Sequence, residues 1–402
     1  MGSGSRSRAA RESNMQTHQE LAAHSAPDWP AIVAVVLGVT AFSVAQGVTY
    51  PLISLVLEAR GVSPTLIGVN AFGFALGLAA ATLMIGRLTQ RFRAQHLIVA
   101  GLVGCSVCLA TFAAFSSMPV WFLARFLLGF CASLIFMLSE AWLNVACPDR
   151  LRGRVSGIYG AAVCAGFAAG PLAIPLFGTA GGFGFALTAV YLALVAFATG
   201  LLMVQTRTVP EPSSTKDVFS FFRHAPMLVL MVFAFGFADI AAISAMPVYF
   251  VKSGHSEAFA ALSVTVLALP TALAQPFIGY ALDRLSRHAV AVGTAAVAAA
   301  GYVALPFLDR PALILVAFGL IGAASFSLYT CALTMLGERF RGSMLVAGSA
   351  AYALTYAVGS GAGSSLTGLV MGVVGLDAGP LMVGAALAVF TGYFALSGRR
   401  QA

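Results

Sequence analysis

Apolar residues run along this chain in long stretches broken by short polar turns, without the strand-like alternation or one-sided helical stripes of a water-soluble fold. A helix needs about 20 mostly apolar residues to cross a hydrocarbon core. Stretches of that length fall near 31–57, 64–86, 96–116, 119–146, 154–177 and 183–204, and again near 226–250, 257–280, 289–306, 312–336, 343–371 and 378–396. Pro119, Pro226 and Pro311 stand at span starts, where a missing N–H costs little. Pro51, Pro247 and Pro270 fall inside spans and are expected to bend them. Residues 205–225 form the one long internal polar segment. The pattern therefore predicts an N-terminal tail (1–29), a six-helix unit (30–204), a linker (205–225), a second six-helix unit (226–396) and a short tail (397–402). The Gly/Ser/Arg opening resembles an added tag, and no cleavable signal peptide is read before the first span.

Composition agrees with lipid as the solvent. The chain has 402 residues, 59% hydrophobic and only 9% charged, against about a quarter charged in soluble domains. Its net charge of +8 is distributed unevenly. Eighteen of the 22 Lys and Arg fall in segments that share one side of the threaded chain, whereas Arg60, Lys252 and Arg310 fall on the other and Arg125 lies within a span. Basic residues collect on the cytoplasmic side of membrane proteins, so both termini are expected in the cytoplasm. The basic balance then needs no nucleic-acid partner. All six cysteines lie in or at the ends of apolar runs, and the Cys105-x-x-Cys108 pair reads as packing.

The halves resemble each other. Asp149-Arg150-Leu151-Arg152-Gly153 recurs as Glu338-Arg339-Phe340-Arg341-Gly342, and Gly86-Arg87-x-x-x-Arg91 as Gly279-x-x-x-Asp283-Arg284. Tyr50-Pro51 reads as the counterpart of Met246-Pro247. Duplicated helical halves around a midplane site are a transporter architecture.

These motifs resemble those of the major facilitator superfamily over nearly all of residues 30–396. The resemblance rests on four features: the loop motif Gly279, Asp283, Arg284 and Arg287 with its weaker copy at Gly86 and Arg91; Arg125-x-x-x-Gly129 in span four; Gly157, Gly166, Gly170 and Pro171 in span five; and the string Ser139-Glu140-Ala141-Trp142-Leu143-Asn144. The last resembles a group of poorly characterised bacterial permeases, and the span-five spacing resembles proton-coupled exporters. The resemblance implies twelve helices in two pseudo-symmetric six-helix bundles. It also implies a cytoplasmic latch at Asp283, facing the start of span five or Arg339, and a glycine face of span five sealing against the other half. Gln90 replaces the acid in the first copy, and Ile174-Pro175 departs from the exporter pattern.

Ionisable residues at membrane depth are expensive and mark functional sites. Asp239, Glu140 and Arg125 are the candidates for proton coupling or substrate contact. Gln46, Tyr50, Asn70, Asn144, Gln275, Tyr329, Tyr352 and Tyr356 are candidate cavity residues. No histidine falls at mid-membrane. With no Gly-Lys dipeptide there is no P-loop, and neither Gly-x-Ser-x-Gly nor a Cys/His metal cluster occurs, so neither an enzyme nor a cofactor is expected. The expectation is a monomeric, gradient-driven transporter of a small solute. Export against protons is favoured, and import with protons or sodium is the alternative.

Overall fold

The computed structural model describes residues 27–179, 182–204, 206, 218–340 and 342–398. Most of the N-terminal tail, the core of the linker, Arg341 and the C-terminal tail thus lie outside the described residues. Twelve long helices run up and down: α1 (Trp29–Ala59), α2 (Pro64–Arg91), α3 (Ala94–Ala114), α4 (Met118–Ala146), α5 (Asp149–Ala169), α6 (Phe183–Met203), α7 (Pro226–Lys252), α8 (Glu257–Arg284), α9 (Arg287–Ala304), α10 (Pro311–Arg339), α11 (Gly342–Val373) and α12 (Ala378–Gly398). A short helix, Val218–His224, leads into α7. Eleven of the twelve meet the length and hydropathy of a membrane span among the described residues, and α11 is 32 residues long.

The helix starts follow local chemistry. Ser63, Ser256 and Ser286 each accept a hydrogen bond from a first-turn amide, at Leu66, Phe259 and Ala289. Asp28 does the same for Ala31. Such caps satisfy amides that have no intrahelical partner. Two spans change pitch midway. α5 tightens into a 3₁₀ turn at Gly170–Ala173 and ends in the turn Ile174–Phe177. α7 widens into a π turn at Ala241–Ala245, where the Met246 N–H donates to the Ala241 carbonyl. Pro247 follows at once, and the widened turn relieves the clash a proline ring makes with the carbonyl one α-turn back.

The halves superimpose in sequence register. The starts of α2 and α8 are 257 − 64 = 193 residues apart, and the same offset relates the starts of α3 and α9, α4 and α10, and α5 and α11. Two sequence expectations need correction. The Asp149 and Glu338 strings match one helical turn out of this register, so their likeness is of composition near a helix junction. Pro51 corresponds to Ser244, and Tyr50-Pro51 is not the structural counterpart of Met246-Pro247.

Glycines set the helix contacts, again in register. Gly129 of α4 lies on the Phe74 carbonyl of α2, and Gly322 of α10 on the Leu267 carbonyl of α8. Gly166 and Gly170 of α5 lie on the Thr40 and Val44 carbonyls of α1, as Gly359 and Gly363 of α11 lie on those of Phe233 and Phe237 of α7. A methyl at any of these positions would run into backbone. Small residues at such crossings let helices approach closely enough for van der Waals packing in lipid. α3 packs on α6 and α9 on α12, and exposed Val107, Leu194, Phe197 and Val389 give this perimeter an apolar surface.

The halves meet chiefly through α2 against α11 and α5 against α8. Their polar contacts lie toward the end of the bundle away from the described termini. Glu58 pairs with Lys252 at 3.4 Å, Ser54 with Ser244 at 3.1 Å, Thr179 donates to Glu257, and Thr265 donates to the Ala168 carbonyl at 2.8 Å. This far end is closed.

Two outcomes follow. Gly129→Ala should cost about 1–3 kcal/mol through overpacking, read as earlier thermal unfolding in detergent. Gly293→Ala, where a methyl meets nothing, should be neutral or stabilising by up to about 1 kcal/mol; equal losses would refute the close-approach role. For the far end, Glu58→Lys should speed maleimide labelling of a cysteine placed at Ser54 by a few-fold, in keeping with a partly exposed pair worth about 1 kcal/mol or less. The charge swap with Lys252→Glu should restore slow labelling.

Candidate functional site

Asp239 sits midway along α7, one residue before Ile240 and the π turn. The crossing of Gly236, Gly359 and Gly363 brings α11 against α7, so that the Tyr356 hydroxyl donates to Asp239 Oδ2 at 2.8 Å. Tyr302 of α9 donates to the neighbouring Ala238 carbonyl at 2.6 Å. The Phe235 ring lies 5.3–5.5 Å from those of Phe326, Tyr329 and Tyr356. A carboxylate at this depth is thereby held by a hydroxyl and walled by aromatic rings, without a cation in contact among the described residues.

Across the interface, Arg125 of α4 is fully buried. The close approach at Gly129 carries Phe74 under it, and the guanidinium lies 5.5 Å from the Phe74 ring and 5.0 Å from that of Tyr50. Cation–π attraction of this kind strengthens away from water. None of its three nitrogens has a hydrogen-bond partner among the described residues. Tyr50 is within electrostatic reach of both Arg125 and Asp239. Gln46, one turn away, donates to the Tyr50 hydroxyl at 3.5 Å. In the 193-residue register Gln46 is the counterpart of Asp239.

Glu140 lies farther along α4 and is exposed. Its electrostatic neighbours are Tyr159 of α5 and Tyr329 of α10. One of these belongs to the other half, so Glu140 faces the space between the halves and not the lipid perimeter. The Tyr159 hydroxyl is buried without a hydrogen-bond partner among the described residues.

The remaining sequence candidates divide. Tyr356 and Tyr50 join the charged group, and Tyr329 links it to Glu140. Gln275 accepts from Thr330 at 2.7 Å and donates to the Thr271 carbonyl, which makes it a brace between α8 and α10. Tyr352 is buried and donates to the Ala332 carbonyl at 2.8 Å, another brace. Asn70 is buried with both amide atoms unpaired. The side chains of Asn144 and Asp283, and the surroundings of Gly157 and Gly279, lie outside the described residues, and the Asp283 latch with them. Of the other loop-motif residues, Gly86 is buried, Arg91 and Arg284 lie over the Phe92 and Tyr280 rings, and Arg287 pairs with Glu338 at 2.6 Å. Pro171 opens the 3₁₀ turn of α5. The expected seal between the span-five glycines and the other half is corrected: Gly166 and Gly170 rest on α1 of their own half, and α8 is met instead through the Ala168 carbonyl.

Sequence reasoning passed over Tyr159, Tyr302 and the Glu58–Lys252 pair. Tyr159 and Tyr302 carry no motif, being single aromatics in apolar runs. Glu58 and Lys252 each close a span at the same end of the bundle, a signal available from the sequence.

Comparison with known proteins agrees with this arrangement. The family model for the Major Facilitator Superfamily matches residues 35–364 and 228–400. A Bacillus subtilis (strain 168) protein, "Uncharacterized MFS-type transporter YfkF", is 25% identical over 337 residues, covering 82% of this chain and 85% of its own. "Uncharacterized MFS-type transporter YcaD" of Escherichia coli O7:K1 (strain IAI39 / ExPEC) is 24% identical over 358 residues, covering 85% and 88%. Among solved structures, the nucleoside transporter NupG aligns with a TM-score of 0.73 at 13% identity over 92% of this chain and 98% of its own. A bacterial homolog of the human lysosomal transporter Spinster, in an inward-facing and occupied conformation, aligns with a TM-score of 0.75 at 16% identity over 92% and 96%. Two registered six-helix halves, charged side chains at membrane depth where those halves meet, and a family match spanning most of the sequence lead to one conclusion: this chain belongs to the Major Facilitator Superfamily and is a membrane transporter.

Proposed function

We propose that the chain moves a small organic solute by alternating access, coupled to protons through Asp239, with export as the direction. The observation that carries this reading is Asp239 itself. A half-buried carboxylate is held by the Tyr356 hydroxyl in the helix that forms part of the far-end closure. A carboxyl group in that position can take up or release a proton as the halves rock and its access to water changes. Glu140, exposed between the halves, is the second carboxylate on the same route. The aromatic walls of Phe235, Phe326 and Tyr329 suit a neutral or amphipathic solute.

The side of the membrane follows from charge. With eighteen of the 22 basic residues on the terminal side, both termini belong in the cytoplasm of a bacterial inner membrane, and the closed far end is the outer one. Closure at that end is what an inward-facing or an occluded transporter has, and the Spinster homolog was solved inward-facing. One observation keeps import open as the second reading. The α5 glycines pack on α1 within their own half, so the span-five likeness to exporters gives no contact across the halves.

Reconstitution of the purified chain into liposomes with a pH-sensitive dye tests coupling. Asp239→Asn should abolish gradient-driven accumulation yet retain counterflow exchange of solute. Full concentrative transport by this variant would remove Asp239 from coupling and leave Glu140 in the role. Direction is tested separately. Everted vesicles should load solute when their lumen is acidified, and loading of right-side-out vesicles by an inward proton gradient would establish import instead.

A further inference from the structure

The Arg125 side chain borders a small, partly open cavity between α1, α2, α3, α4 and α6 of the N-terminal half. The surface of that cavity is mostly apolar, with a few polar side chains at its edge. Arg125 brings three nitrogens that have no hydrogen-bond partner. Gln46 offers the amide hydrogens of Nε2, which otherwise reach only the Tyr50 hydroxyl at 3.5 Å. The Tyr50 hydroxyl accepts that contact and keeps its own proton to donate. Thr49 spends its hydroxyl proton on the Ala45 carbonyl, and Phe42, Phe74, Leu109, Leu128 and Leu192 supply the apolar remainder. The lining has donors in excess and no carboxylate.

Arginine remains protonated at any pH a protein meets. A buried charge without a counter-charge or hydrogen bonds costs several kcal/mol, far more than cation–π contacts return. The protein's own nearby acid does not meet the need, because among the described residues Asp239 makes its contact with Tyr356 and no ion pair with Arg125. The position that the internal register would make Asp239's twin is Gln46, a neutral amide. The rings of Tyr50 and Phe74 take up contact with the guanidinium, and its N–H groups stay available for an acceptor.

We propose that this cavity is a binding site for a small monoanion of halide size, held by Arg125, Tyr50 and Gln46 within the N-terminal half. The small size of the cavity and its lining by five helices of one half favour a free ion over the charged group of a larger transported solute. With the anion in place, Arg125 is neutralised locally, and Asp239 is left to its Tyr356 contact and to proton exchange. The site stands whether or not proton coupling holds.

The test uses the full-length protein in detergent, at constant pH and ionic strength, with gluconate as the bulky reference anion. Chloride and bromide should raise the unfolding temperature saturably, as a ligand bound only to the folded state does. Arg125→Met should remove that dependence, and in gluconate it should unfold no earlier than the wild type, since it deletes a lone buried charge. Arg125→Lys, which keeps the charge but shortens the reach of its donors, should respond only at higher anion concentration; it is the check if the Met variant fails to fold. Crystals soaked in bromide should carry an anomalous peak beside the Arg125 guanidinium. A wild-type unfolding temperature indifferent to anion identity would overturn the proposal, as would an equal response in Arg125→Met. A response to benzoate without one to chloride would overturn the halide-sized assignment and make Arg125 the receptor for a solute carboxylate.

Discussion

The structure depends on the close approach of helix backbones at paired glycines. Where α4 crosses α2 and α11 crosses α7, a glycine lies against a facing carbonyl oxygen, and the position of each charged side chain follows from that contact. The α4–α2 crossing fixes how Phe74 and Tyr50 surround Arg125. The α7–α11 crossing sets the distance over which Tyr356 reaches Asp239. In lipid no hydrophobic force drives helices together, so contact area and interhelical hydrogen bonds must hold them. Both depend on removing side-chain bulk at the crossing point. The site's geometry is therefore a by-product of packing that each half would need in any case.

The same medium explains the treatment of polar groups. With no water to satisfy them, hydroxyls on the spans turn back to carbonyls of their own helix, as Ser43, Thr82, Thr188 and Thr355 do. Departures from that economy mark the sites of interest. In α7 the helix widens before Pro247, and the side chains of Asp239 and Tyr302 gather at that irregular stretch. π turns inside α-helices occur frequently at functional sites. At Arg125 and Asn70, as at Tyr159, polar atoms are buried without partners among the described residues, and a packing argument alone does not explain them.

Much of this was legible in the sequence. Apolar run length gave the helices, since crossing distance dictates it. Depth-based cost singled out Arg125, Glu140 and Asp239. The internal repeat was visible, but through the strings at Asp149 and Glu338, which agree in residue type one turn away from structural register. Short charged strings recur wherever helices leave the membrane on the basic side, so their likeness reports environment as well as descent. The partner of a glycine was not legible: Gly166 and Gly170 have the spacing of a close-packed face, but spacing does not name the helix packed against it. Nor could a sequence window separate Tyr352 and Gln275, which brace helices, from Tyr356, which reaches an acid; that depends on which neighbour faces each position.

The corrected register has one more consequence. At two matched places the first half has an amide where the second has a carboxylate, with Gln46 set against Asp239 and Gln90 against Asp283. Each exchange removes a titratable group, and the glutamine side chain is one methylene longer than the aspartate it stands against. At these positions the first half keeps one fixed charge state, and only the second can answer a change in acidity. A duplicated scaffold has thereby divided its labour. At these two positions the first half is electrostatically constant and the second carries the variable charge, while Glu140 gives the first half a titratable carboxylate elsewhere, although their helices are laid out alike.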